Sequence, residues 1–227
     1  MYKLILFDMD GTLFDFKKAE KEAFSKTFND IGLSEIINKH HIFEKINLTL
    51  WKELENGKIL PNELRVKRFE LFFKEINYNL NAKSIAENYI KNLKEGDYLI
   101  KHTKEILSHY KNNNTLMAII TNGLSDVQYN RLKKSGIMKF FRDVFISEEI
   151  GYSKPDSHFF IHVTKQYKKV KKNEILIVGD SLSSDIKGAY ICGLDSVWFN
   201  PENIQNYCEI SPTYEIKKLN ELLKITN

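Results

Sequence analysis

Cysteine is nearly absent from this chain: Cys192 and Cys208 are the only two, and neither belongs to a CxxC pair. Two thiols without framework spacing exclude a disulfide-stapled scaffold and read as reduced cysteines of a cytosolic protein. No apolar run approaches the roughly 20 residues of a membrane span, and the opening YKLILFD has the character of a strand with an acidic end rather than a cleaved leader. The expectation is a soluble, cytoplasmic protein with no membrane partner. An excess of charge of one sign is missing as well. The 34 basic and 30 acidic residues nearly cancel and are scattered, so no basic arm or stripe offers itself to a nucleic acid polymer. Internal repeats, low-complexity tracts and Gly/Ser linkers are also lacking. What remains is a chain of 227 residues and 42% hydrophobic composition, enough to bury one substantial core with a modest insertion.

Short apolar runs recur at Leu4 to Phe7, Leu116 to Ile120, Val144 to Ile146, Ile175 to Val178 and Ser196 to Phe199, each flanked by helical pattern. Strands apolar on both faces and alternating with helices predict an α/β fold, a doubly wound parallel sheet covered on both sides. Between the first two runs the pattern is helical only. Phe16, Ala19, Ala23, Phe24, Phe28 and Ile31 share one helix face that Gly32 is placed to end. Further helices are expected over Ser34 to Glu55, Asn62 to Glu75 and Asn81 to Leu93, with Gly57 and Pro61 as breaks. The aromatic residues Trp51, Phe69, Phe72 and Phe73 read as packing. An all-helical insertion after the first strand leaves the sheet at its carboxyl edge, where open α/β sheets bind ligands, and is placed to be a lid. The predicted division is 1–14 and 94–227 as the α/β core and 15–93 as a helical cap.

Four segments carry candidate chemistry. In DMDGTLF, Asp8 and Asp10 leave a buried strand two residues apart, and Gly11 permits a sharp turn. One carboxylate can attack an electrophile while the other holds or delivers a proton, although Asp and Gly are also ordinary turn residues. Thr121, Asn122 and Gly123 end the second strand, and a hydroxyl with exposed backbone N–H groups can cradle an anion there. The helix that follows starts at Ser125 with Gln128 three residues on, a capping-box spacing. Lys154 in GYSKPD, taken alone, reads as a solvated lysine ahead of a helix begun by Asp156. Asp180 and Asp185, after the strand ILIV, can approach one hard cation, or can belong to a helix start rich in Asp and Ser. All four segments fall at the carboxyl ends of predicted strands, on one edge of the sheet. His158 and His162, spaced i, i+4 without a third ligand nearby, read as an ordinary helix face.

The order DMDGT, TNG, SKP, GDSLSSD resembles the haloacid dehalogenase superfamily in its phosphatase branch, and the helical insertion resembles the cap of many members. Within it, ITNGLSDVQYNRLKKSGIMKFF followed by FISEEIGYSKPD is most similar to pyrimidine-type 5'-nucleotidases. The resemblance implies a Mg²⁺-dependent phosphomonoester hydrolase in which Asp8 forms an aspartyl-phosphate. Mg²⁺ would be held by Asp8, the Asp10 backbone carbonyl and Asp180, with Asp185 as a ligand or an orienting outer group. Three carboxylates and a phosphate dianion outweigh the metal's charge, and Lys154 would supply the missing cation. Thr121 and the backbone N–H groups of Asn122 and Gly123 would hold phosphate oxygens. Asp10 would protonate the leaving alkoxide and then serve as base. Dehalogenase relatives lack that second acid, since a halide needs no proton. The implied partner is a small phosphorylated metabolite, a nucleoside monophosphate first, acted on by a monomer or homodimer. A sugar-phosphate phosphatase or phosphomutase on the same core, and a non-catalytic binding protein on the same fold, are the alternatives.

Overall fold

The computed structural model describes residues 2–206 and 209–226. Five strands form where the apolar runs place them: β1 (Leu4–Phe7), β2 (Leu116–Thr121), β3 (Asp143–Ile146), β4 (Ile175–Gly179) and β5 (Asp195–Phe199). A sixth, β6 (Tyr214–Ile216), joins the edge and was not expected. It has three residues, two of them exposed, and so presents no apolar run. The sheet order is β3-β2-β1-β4-β5-β6 and every neighbouring pair is parallel. The chain leaves β1 toward β2 on one side and later returns to β4 on the other. That reversal opens a crevice at the carboxyl ends of β1 and β4, the usual ligand position of such sheets.

Alternation along the strands sorts the two faces. Leu4, Leu6, Ala118, Ile120, Ile175 and Ile177 pack with Phe159, Phe160 and Val163 of α8 (Ser157–Lys165) and Ala189 of α9 (Lys187–Cys192). On the opposite face the Phe7 ring meets Tyr110 of α5 (Thr103–Asn112) and Phe141. Both faces are therefore dry, which is why the strands read as unbroken apolar runs. Beyond β2 the chain also forms α6 (Ser125–Ser135), the single turn α7 (Ser147–Ile150) and α10 (Leu222–Thr226). Cys192 is unbridged and half-buried, while Cys208 lies outside the described residues.

The chain separates into two compact units. The first comprises Met1–Asp15, Tyr98–Ser125 and Ser135–Asn227. The second, all helical, comprises Phe16–Asp97 and also Asp126–Lys134, a stretch of α6 that sequence reasoning left with the sheet. The reason is in its side chains: Arg131 Nε donates to Gly96 O at 2.7 Å, and Asp126 pairs with Lys94 at 2.8 Å and Arg65 at 3.1 Å. The second unit contains α1 (Phe16–Asn29), α2 (His40–Glu55), α3 (Pro61–Ile76) and α4 (Ala82–Leu93). The helix expected from Ser34 is divided, since Ser34–Lys39 winds as a tighter 3₁₀ helix that turns Ile36 inward before α2 starts. Its core is aromatic: Phe24, Phe28, Phe43, Phe69, Phe72, Phe73 and Tyr89 are nearly or fully buried, with Phe24 and Phe28 ring centroids 4.8 Å apart. Trp51 packs beside Leu50, Leu54, Ile59 and Leu64.

Gly188 in α9 lies against the Phe160 ring, and a methyl group there would run into it. Gly188→Ala gains about 1 kcal/mol of helix propensity, but overpacking a fully buried ring costs about 1–3 kcal/mol. The expected outcome of urea unfolding is a net loss of stability for the variant. A gain would show that Phe160 is free to move aside.

Candidate active site

Parallel register brings the candidate residues to one level. Phe7 pairs with Ile119 on one side and Val178 on the other, so the residues just beyond β1, β2 and β4 emerge together. Asp8 is pinned as the chain leaves the sheet, its N–H donating to Val178 O at 2.8 Å. Gly11 turns the chain back with φ +88°, and any side chain there would strike the Asp180 carboxylate. Glycine is thus required at this position for both its backbone angle and its lack of Cβ. Gly179 plays a similar part at the end of β4, where a Cβ would collide with Asp185.

Lys154 is the centre of the cluster. Its segment taken alone reads as a solvated lysine, and only the motif order casts it as the cation of the site; it is 1% exposed, and its ammonium donates to Asp8 Oδ1 at 2.6 Å, Asp185 Oδ1 at 2.6 Å and Ile120 O at 3.1 Å. An ammonium has three hydrogens; all three are committed. The ammonium is held in the charged form, its pKa raised by Asp185 and Asp8 against the opposing pull of burial. The loop that carries it is clasped by a side chain whose role was not foreseen. Asn122 Oδ1 accepts from Lys154 N–H and Asn122 Nδ2 donates to Lys154 O, both at 2.9 Å. The predicted anion cradle is folded on itself, with Gly123 N–H donating to Thr121 Oγ1 at 3.0 Å.

Asp185 sits on a single π-helical turn, Leu182–Ile186, capped by Ser181 Oγ accepting from Ser184 N–H at 3.2 Å. It is fully buried, and its second oxygen accepts from Ser181 N–H at 3.2 Å. Asp180 is partly exposed, and its backbone carbonyl accepts from Trp198 Nε1 at 2.8 Å. Carboxylate oxygens of Asp8, Asp180 and Asp185 lie within 4.8 Å of one another. Asp10 lies at the rim, partly exposed, and its side chain is outside that group of three. Thr12 is a residue that sequence reasoning passed over within the DMDGT motif. Fully buried, its hydroxyl lies 3.2 Å from Asp8 Oδ2 and 3.3 Å from Asp180 Oδ1, and its one hydrogen can serve one of them at a time.

Three carboxylates against one ammonium leave a surplus of negative charge, and the titration directions follow from it. Burial pushes Asp8 well above the usual carboxylate range, Lys154 opposes the rise, and Asp185 and Asp180 add to it. Asp180 is pushed up to about 7 by desolvation and by the Asp185 charge. An all-oxygen donor set with surplus negative charge fits a hard divalent cation. His158 pairs with Asp156 at 2.9 Å and stacks on Tyr152, while His162 faces the edge of Phe145; neither joins the cluster. At α6 the expected Ser125–Gln128 capping box is not formed. Ser125 N–H donates to Glu148 at 2.8 Å, Ser125 Oγ is buried without a partner, and Gln128 Oε1 accepts from Arg131 at 3.1 Å. Tertiary partners outbid the local one.

A family model described as haloacid dehalogenase-like hydrolase matches residues 5–199. The chain is 38% identical to the HAD-hydrolase YfnB of Bacillus subtilis, spanning 100% of this chain and 96% of that one. It is 32% identical to the pyrimidine 5'-nucleotidase PynA of Streptococcus pneumoniae, over 98% of this chain and 94% of that one. It is 27% identical to a glyceraldehyde 3-phosphate phosphatase of Methanopyrus kandleri, over 99% and 97% of the two chains. The crystal structure of YfnB, described as bound to magnesium, matches with a TM-score of 0.92 over 100% of this chain and 99% of that chain. No helix among the described residues is long and apolar enough to cross a membrane.

Removing the ammonium while keeping its volume tests the centre of the cluster. Lys154→Met leaves two buried carboxylates without their cation, which costs about 3–5 kcal/mol when one partner of a buried pair is lost. Asp8, already pushed upward, takes a proton more readily in the variant. The deficit, measured by urea unfolding, is therefore expected to be largest near neutral pH and to narrow on acidification. A deficit independent of pH would mean that the ammonium contributes by packing alone.

Proposed function

The chain belongs to the haloacid dehalogenase-like hydrolase family, and we propose that it is a magnesium-dependent phosphomonoesterase working through an aspartyl-phosphate on Asp8, with pyrimidine nucleoside monophosphates as substrates. The observation that carries the chemistry is the position of Asp8, at the end of the central strand, between a fully buried ammonium and two further carboxylates. The substrate class rests on the likeness to the pyrimidine 5'-nucleotidase PynA over nearly the whole chain.

Asp8 and Asp180, with the Asp10 backbone carbonyl, would hold Mg²⁺. Bound there, the ion neutralises phosphate oxygens and so lowers the repulsion that a carboxylate meets on approaching a dianion. Asp185 has both oxygens committed to Lys154 and Ser181, which suits an orienting role better than direct ligation. An Asp8 oxygen attacks phosphorus, the P–O bond to the leaving group breaks, and Asp10 gives that alkoxide its proton. Asp10 then takes a proton from the water that opens the acyl phosphate. Lys154 balances charge and fixes the attacking carboxylate; Thr121 Oγ1 and the Asn122 and Gly123 N–H groups receive phosphate oxygens. A second reading, a phosphatase of small sugar phosphates, draws on the likeness to the glyceraldehyde 3-phosphate phosphatase. Turnover on a panel of nucleotides and triose and pentose phosphates separates the two.

Hydrolysis of p-nitrophenyl phosphate should require Mg²⁺ and fall on the order of 10⁴-fold or more in Asp8→Asn; equal rates in variant and wild type would sink the mechanism. Asp10→Asn should lose most on poor leaving groups, and a uniform loss would remove its acid role. Metal binding should also depend on pH with a definite sign. Asp180 has a folded-state pKa raised to about 7, so without metal its stabilising protonation is complete below about pH 4 and lost as pH rises through 7. Mg²⁺ must displace that proton. The rise in Tm given by Mg²⁺ is thus expected to be small near pH 5.5 and to grow through pH 7, and a flat profile would contradict it.

A further inference from the structure

Four buried polar residues, one from each helix of the helical unit, gather in its aromatic core: Glu20 from α1, Asn47 from α2, Arg68 from α3 and Tyr89 from α4. None is more than 4% exposed. Asn47 Nδ2 donates to Glu20 Oε1 at 2.6 Å, and Arg68 Nη1 donates to Asn47 Oδ1 at 3.4 Å. The guanidinium carbon stands 4.5 Å from the Tyr89 ring centroid and 5.7 Å from that of Phe69. Its other two nitrogens, Nε and Nη2, are buried and have no hydrogen-bond partner. The phosphatase chemistry uses none of these residues.

The two unpartnered nitrogens are not a random pair. Nε and Nη2 share one edge of the guanidinium plane, and their N–H bonds run side by side, the arrangement that binds two adjacent acceptors at once. Unpaired buried donors are costly, and a guanidinium cannot escape by losing its proton. An alternative of pure packing would have been met more cheaply by Met or Leu at this position. A carboxylate or phosphate has the right spacing but the wrong charge, because Glu20 already supplies a negative partner. Burial pushes that carboxyl up to about 7, so the surroundings already resist one anion. A neutral planar ring with two neighbouring acceptors satisfies the fork without adding charge. Cytosine offers such a pair in O2 and N3; uracil offers O2 alone, its N3 being a donor.

We infer that Arg68, held by Asn47, which Glu20 holds in turn, is the base-reading group of the helical unit and binds the O2 and N3 edge of a cytosine nucleoside through Nε and Nη2. The choice of a pyrimidine over other neutral acceptor pairs rests on the nucleotidase reading above. Because the fork is covered, binding must shift the side chains that lie over it.

Equilibrium binding of nucleosides tests the site apart from any phosphate chemistry. Full-length wild-type protein is titrated with cytidine, 3-deazacytidine, in which a C–H replaces N3, and uridine. Cytidine is expected to bind saturably in the millimolar range or tighter, with 3-deazacytidine at least about tenfold weaker, as one lost partner of a bidentate contact requires. Uridine should fall with the deaza compound. Arg68→Lys keeps the charge and loses the fork, so it should bind cytidine and 3-deazacytidine equally weakly. Equal binding of the two by wild type, or no saturable binding, overturns the site, and the wild-type comparison holds even where the variant does not fold. The two readings fail separately. Cytidine 5'-monophosphate hydrolysis without N3-dependent cytidine binding removes this site and leaves the nucleotidase, whereas N3-dependent binding without hydrolysis of the nucleotide removes the nucleotidase and leaves the site.

Discussion

The ammonium of Lys154 between Asp8 and Asp185 is the contact on which the rest of the active-site region depends. Burying a lysine is affordable only when its charge is met and every hydrogen is donated. Meeting that condition needs three strand ends at one level, since Asp8 follows β1, Ile120 lies in β2, and Asp185 lies on the turn after β4. The parallel register supplies the level, and the side-by-side placement of β1 with both β2 and β4 supplies the proximity. Details that look incidental then acquire reasons. Gly11 and Gly179 are glycines because carboxylates occupy the space a Cβ would need, and Asn122 grips both backbone groups of Lys154 because the loop must deliver that side chain at one depth.

Much of this was legible in the chain, and the misses share a cause. Strands dry on both faces announce themselves as apolar runs, so β1 to β5 could be placed from composition alone. Motifs at their carboxyl ends fall on one edge by topology, which is why Asp8, Thr121, Lys154, Asp180 and Asp185 could be named together. What escaped was whatever depends on a partner distant in sequence. β6 has no apolar run and is defined by pairing with β5. Thr12 looked like filler in a motif whose acids drew attention, although its hydroxyl faces two of them. Ser125 and Gln128 have the right spacing for a capping box, but Glu148 and Arg131 are better placed partners, and no local pattern reveals that. The membership of Asp126–Lys134 in the helical unit likewise rests on Arg65, Lys94 and Gly96, all more than 30 residues away.

Arg68 is the same lesson in the other direction. In the run VKRFELFF it reads as one more basic residue on a helix of a lysine-rich chain, and the helical period does not distinguish a solvated guanidinium from one turned inward. Only the packing of four helices shows that its side chain lies among aromatic rings with a carboxylate reached through an amide. Phe69, read as packing, is packing, and the guanidinium also lies against its ring and that of Tyr89.

Lys154 and Arg68 differ in how a buried cation is satisfied. Near Asp8 two donor groups are already engaged: Lys154 gives all three hydrogens to protein acceptors, and Gly123 N–H is turned onto Thr121. A phosphate oxygen that takes one of them exchanges a protein contact for a substrate contact, so the net gain per bond is small. A phosphate group is moreover common to every phosphomonoester and cannot tell one from another. A donor that gains a partner outright returns more, because satisfying a buried, unpaired group recovers its full desolvation penalty. Among the described residues Arg68 offers two such donors on a single edge. Lys154 and Arg68 are thus opposite solutions to one constraint: the first buried cation has an acceptor for every hydrogen, while the second keeps two parallel N–H groups without one.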